Sequence, residues 1–307
     1  MGIPVKPISL IKIYKEIQEN EYVKDQNFEI LEEKAVDILD AKSLVGGTYD
    51  FHNLAIVFSE ANLNDFACKI LERGISIYPR SVDLLADYLA FGIDCLDSKR
   101  KSEKYFTVLN SIDESMWTWR GYYFSLDYLY AMREKTNNPT IIEQVEKDID
   151  TLIMRYYEKF PHDEGPYVAE ANKFHGKDVR EELRILKRAI DTLDFCPQCT
   201  IKYASMVLEK VNDECDYLKL SEKLKPENLA NTKEIDFGYA LFLRGVCLFK
   251  LLNGDDYSNE AKVREIYLCF RIANDNIMQL SATHRKSMQK QVSVLERYSQ
   301  FDSDIVF

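Results

Sequence analysis

The chain has 307 residues, 46% of them hydrophobic and 30% charged, which supplies a large core and excludes wholesale disorder. Its 11 Gly and 8 Pro are too few for a sheet protein that turns about every eight to twelve residues, so a helical class is expected. A formal net charge of −11 repels a phosphate backbone over most of the surface, and no nucleic-acid partner is expected.

In chain order, Met1 to Lys6 lacks the charged-then-apolar layout of a signal peptide. Gly2 has no Ser or Thr at the myristoylation spacing, and no apolar run approaches the ~18 residues of a membrane span. A cytoplasmic protein without membrane attachment is expected. Leu10, Ile11, Tyr14 and Ile17, then Phe28, Leu31, Ala35, Ile38 and Leu39, recur at helical spacing. Residues 1–47 therefore read as an N-terminal helical pair that packs on the first hairpin after it, ended by Val45-Gly46-Gly47.

From Thr48 the pattern becomes more specific. Phe51, Leu54, Ala55 and Phe58 form one stripe, Asn62-Leu63-Asn64 is a short turn, Ala67, Leu71 and Gly74 form a second stripe, and Pro79 forbids continuation. Small residues stand where two antiparallel helix axes must approach closely. This resembles the tetratricopeptide repeat (TPR), a helical hairpin of about thirty-four residues. The hairpin from Thr48 matches its size pattern throughout, with Phe51 where the family prefers Trp.

Related hairpins succeed it with varying fidelity. Leu84, Leu85, Tyr88 and Leu89 lead to Tyr105, Phe106 and Leu109 across the polar run Asp97-Ser98-Lys99-Arg100. Trp117, Arg120, Gly121 and Phe124 open a third unit, whose second helix spans Ile141 to Phe160 before Pro161. Tyr167, Ala171 and Phe174 turn at Gly176-Lys177 into Leu183, Leu186, Ala189 and Ile190. Cys199 to Leu224 matches loosely. Leu241, Arg244, Gly245 and Leu248 repeat the Arg-Gly pair, and Ile266, Phe270 and Ala273 come after them. The expected architecture is an all-α solenoid of stacked antiparallel hairpins, with about six repeats over residues 48–280 and a capping helix and tail over 281–307, where Met288, Val292 and Leu295 share one face. The basic stretch from His284-Arg285-Lys286 to Arg297 reads as its solvated side.

Catalytic and metal motifs are sparse. The four His, at 52, 162, 175 and 284, share no metal-ligand spacing on one helix, and neither a phosphate-binding Gly-rich loop nor a Gly-x-Ser-x-Gly elbow occurs. The seven Cys are odd in number and mostly isolated in apolar segments, as reduced buried thiols are. Cys196-Pro197-Gln198-Cys199 has redox or half-zinc-site spacing, with Cys215 as a candidate third ligand, yet it falls between helices and reads as turn cysteines that pack. His162-Asp163-Glu164 reads as capping of the next helix. No metal, cofactor or catalytic residue is expected.

The segment from Met116 to Tyr130 is apolar nearly all round, so it is either buried on every side or covered by a partner. In the family it resembles, first helices line a concave groove. That resemblance implies a groove formed by Tyr49, His52, Asn53, Ile56 and Ser59, by Trp119, Tyr122 and Tyr123, and by Asn172. The Lys, Arg and Asn clamp of carboxylate-gripping relatives is not matched, since His52 and Ile56 stand there. The expected role is a scaffold or adaptor holding a protein or peptide partner, and a homo-oligomer is compatible with it. The alternatives are a regulatory sensor that changes superhelix shape on binding a small molecule or signalling peptide and, further off, a cysteine-dependent enzyme.

Overall fold

The computed structural model describes residues 7–92, 99–211, 216–229, 234–252, 259–275 and 281–298. These residues are almost wholly helical. Fifteen α-helices occur among them, beginning with α1 (Leu10–Glu19), α2 (Phe28–Asp40), α3 (Thr48–Glu60), α4 (Asn64–Ile77), α5 (Val82–Gly92), α6 (Lys99–Asn110), α7 (Trp119–Lys135) and α8 (Pro139–Lys159). The rest are α9 (Gly165–Phe174), α10 (Val179–Thr192), α11 (Pro197–Ser205), α12 (Tyr217–Lys223), α13 (Glu234–Lys250), α14 (Glu260–Asp275) and α15 (Ala282–Tyr298). The one addition to the expected class is a two-residue parallel pairing of β1 (Ile8–Ser9) with β2 (Leu44–Val45), which ties the first helical pair together at its ends.

Helix boundaries fall where local chemistry stops or starts a ladder. Asp50 accepts the Gly47 amide at 2.8 Å and so caps α3. Asn138 caps α8 with Pro139 in the first turn, and Asp178 accepts the amides of Arg180 and Glu181 at the start of α10. Gly176, at φ +71°, makes the turn between α9 and α10. The loosely matched fifth hairpin has a structural reason: α11 runs into a π-helical stretch, Met206–Val211, whose wider turn breaks the three-and-four spacing. Cys215 lies outside the described residues.

The contacts divide the chain into two compact units, Met1–Pro161 and His162–Phe307, a division that no Ser/Gly-rich linker announces. In the first unit each hairpin closes on itself, α3 on α4, α5 on α6 and α7 on α8, while α1, α3, α5 and α7 pack side by side in turn. Its core is filled by Phe51, Leu54, Phe58, Leu71, Leu85 and Tyr88, among others. The second unit repeats the pattern with α9 on α10, α11 on both, and α13 on α14.

Two glycines show why the size pattern exists. A Cβ on Gly74 would lie 2.9 Å from the Phe51 ring, and one on Gly245 only 2.5 Å from the Phe270 ring. Helix partners this close leave room for hydrogen alone.

A candidate partner face on α3, α5 and α7

The first helices of three successive hairpins present their partly exposed sides together. On α7 the stripe is Arg120, Tyr123, Phe124 and Asp127, opposite the buried stripe of Tyr122, Leu126, Leu129 and Arg133. On α3 it is Tyr49, Asn53 and Ile56, with Ser59 one turn later. On α5 it is Asp83 and Ala90, with Asp87 between them.

Beneath these stripes lies a buried charged cluster that joins all three helices. Asp87 is 1% exposed, in a mostly apolar helix whose other acid, Asp83, is partly exposed. Arg120 Nη2 donates to Asp87 Oδ1 at 2.8 Å, and His52 Nδ1 lies 2.8 Å from Asp87 Oδ2. Arg120 Nη2 also lies 2.7 Å from His52 Nδ1 and 3.0 Å from its Nε2, so all three side chains meet at one point. One carboxylate thus neutralises the guanidinium with one oxygen and meets the imidazole with the other. Nearby, Thr118 Oγ1 donates to Asp83 Oδ1 at 2.6 Å, a second bond between α5 and the start of α7.

Above the cluster the aromatic residues are exposed. Tyr49 is 70% exposed with its ring 5.9 Å from that of His52, and Trp119 is 48% exposed. The Arg120 guanidinium carbon lies 5.8 Å from the Trp119 ring centre and 6.0 Å from that of Phe124. Tyr123 meets Trp119 edge-on at 6.5 Å. Large exposed rings beside a fixed cation are the composition of a recognition surface.

Further along α7, Asp127 is half-buried. Burial pushes its carboxyl up to about 6, and it makes no hydrogen bond or ion pair among the described residues. An anion held out of water without compensation costs stability.

The structure separates the residues expected at the groove. Tyr49, Asn53, Ile56, Trp119 and Tyr123 share this face, with His52 just beneath it. Ser59 is engaged locally, its Oγ donating to Asn64 at 3.0 Å across the turn to α4. Tyr122 is a correction. It is fully buried, its ring stacks on Tyr156 at 5.1 Å and its hydroxyl donates to Glu114 at 2.7 Å. The cause is register: α7 starts at Trp119, capped by Thr118, so Trp117 lies outside the helix and the buried stripe runs through Tyr122. Asn172 belongs to the second unit, where its Oδ1 accepts from Lys202 at 2.7 Å. Lys202 also pairs at 2.9 Å with the buried Glu182, which His175 approaches at 3.0 Å. Sequence reading missed Asp87 and Asp127. The signal was available for Asp87, an acid set between the apolar Leu84-Leu85-Ala86 and Tyr88-Leu89.

The two cysteines of the C-x-x-C are buried, Cys196 at the N-cap of α11 and Cys199 in its first turn. Burial pushes both thiols up, Cys199 strongly, away from the thiolate that redox and metal chemistry require. Glu164 accepts the Cys199 amide at 3.0 Å, so it caps α11 rather than its own helix; Asp163 accepts the Gly165 amide at 2.7 Å. Burial pushes the Glu164 carboxyl up to about 7 against these backbone bonds.

A shallow cleft of about 570 Å³ opens elsewhere in the first unit between Phe106, Tyr128, Met132, Ile141 and Val145. At its rim Lys147 is already paired with Glu143 at 2.8 Å. Among the described residues, no helix is long and apolar enough to cross a membrane. Compared with known proteins, the chain matches no family model and no curated sequence.

Proposed function

We propose that this chain is a TPR-like helical repeat that holds a protein or peptide partner on the face formed by α3, α5 and α7. The observation that carries the reading is the pairing of exposed Tyr49 and Trp119 with an arginine pinned in place by Asp87. A side chain already held in one rotamer loses little entropy on binding, so the face is pre-organised. Aromatic rings add contact area at small conformational cost. The solenoid arrangement belongs to the same proposal, supported by first helices packing on first helices within each unit.

The same geometry does not favour a cysteine enzyme, because Cys196 and Cys199 are buried with raised thiols. The test is affinity purification followed by mass spectrometry, with wild type against a Tyr49→Ala, Trp119→Ala double variant. Both rings are exposed, so the variant keeps its core. Partners recovered by wild type and lost by the variant support the reading, and identical recovery would count against it.

A further inference from the structure

The stripe on α7 carries two opposite charges in very different states. Arg120, near the start of the helix, has its charge answered by Asp87. Asp127, two turns later on the same side, has no hydrogen bond and no ion pair among the described residues. A partly exposed carboxylate that neither the fold nor bulk water fully satisfies is complementary to a positive group brought by something else. Tyr123 and Phe124 lie one turn before it, at the i−4 and i−3 positions that flank a helical residue.

A second observation points the same way. Aromatic rings at this face already receive a cation, since the Arg120 guanidinium lies over Phe124 on the stripe and over Trp119 beside it. Tyr123, also on the stripe, is half-buried with its ring edge-on to that of Phe124 at 5.6 Å. The net charge of −11 adds a long-range attraction for basic partners and a repulsion for acidic ones.

We propose that Asp127 receives the cationic side chain, lysine or arginine, of a peptide segment lying across α3, α5 and α7. This rests on the holder reading and specifies the chemistry of its guest. The ammonium or guanidinium donates to the Asp127 carboxylate while its alkyl stem lies against Tyr123 and Phe124. The ion pair replaces missing hydration and so discriminates basic from neutral or acidic residues at one position of the guest.

The test uses the full chain immobilised and challenged with fluorescent short peptide mixtures randomised over Ala, Ser, Leu and Tyr. The central residue is fixed as Lys, Glu or Ala. Wild type should retain the Lys mixture about tenfold or more over the others, and Asp127→Asn, an isosteric change, should make the three equal. Tyr49→Ala should weaken all retention without altering the order. Equal retention of every mixture by wild type overturns the assignment while leaving a holder of peptides intact. A Lys preference that survives Asp127→Asn overturns it too. Retention of no mixture overturns the peptide guest, and the holder reading then stands or falls on the partner purification alone.

Discussion

Arg120 on α7 donates to Asp87 on α5 at 2.8 Å from a position that is only partly exposed, while the carboxylate itself is 1% exposed. The pair ties consecutive hairpins together across their first helices, and His52 on α3 extends the tie by one more hairpin. Removing one partner of a buried pair leaves the other uncompensated, which costs about 3–5 kcal/mol. Asp87→Ala should therefore cost about that much in urea denaturation. Pairing it with Arg120→Met should recover part of the loss, because the stranded guanidinium is gone as well. Equal stability of Asp87→Ala and wild type would show that the cluster does not join the helices.

Close helix approach is tested at Gly245. A methyl there would meet the Phe270 ring at 2.5 Å, so Gly245→Ala should destabilise by about 1–3 kcal/mol despite alanine's better helix propensity. Phe270→Leu in the same chain should relieve part of the penalty. Stabilisation by Gly245→Ala alone would mean that α13 and α14 do not pack this closely.

Asp127 gives a pH signature. Its carboxyl is raised from 3.8 to about 6 by burial, so between those values the folded protein keeps a proton that the unfolded chain has released. That contribution favours folding at low pH and is lost as pH rises through about 6. Asp127→Asn removes the penalty at neutral pH. The variant should be more stable than wild type at pH 7 by on the order of 1–3 kcal/mol, and the difference should vanish near pH 4. A variant less stable than wild type at pH 7 would show that the carboxylate has a partner in the fold.

Thiol reactivity separates packing from chemistry. Cys196 and Cys199 are buried, and burial raises both thiols, so iodoacetamide at neutral pH should label them slowly in the native protein and readily in urea. Rapid native labelling at either site would revive a catalytic or redox role.

Much of this was legible in the sequence, and the misses have physical causes. Apolar spacing located the helical hairpins, and the small residues Gly74 and Gly245 marked the close approaches because size complementarity is written residue by residue. Tyr122 was misplaced because a helix start sets the phase of everything after it, and Thr118 rather than Trp117 caps α7. In an aromatic segment apolar on every side, periodicity gives no independent check on that phase. Asp87 went unread because its partners come from other helices, His52 before it and Arg120 after it. The division after Pro161 leaves no compositional trace that a reading of the sequence could use.

Trp119 offers the most direct test of the proposed face. Trp117 is buried and Trp119 is 48% exposed, so iodide quenching in a Trp117→Phe background reads Trp119 alone. Adding a partner recovered by purification should protect Trp119 from iodide to saturation, with the same affinity that binding shows independently. Saturating binding that leaves the quenching of Trp119 unchanged would place the partner elsewhere and contradict the proposed face.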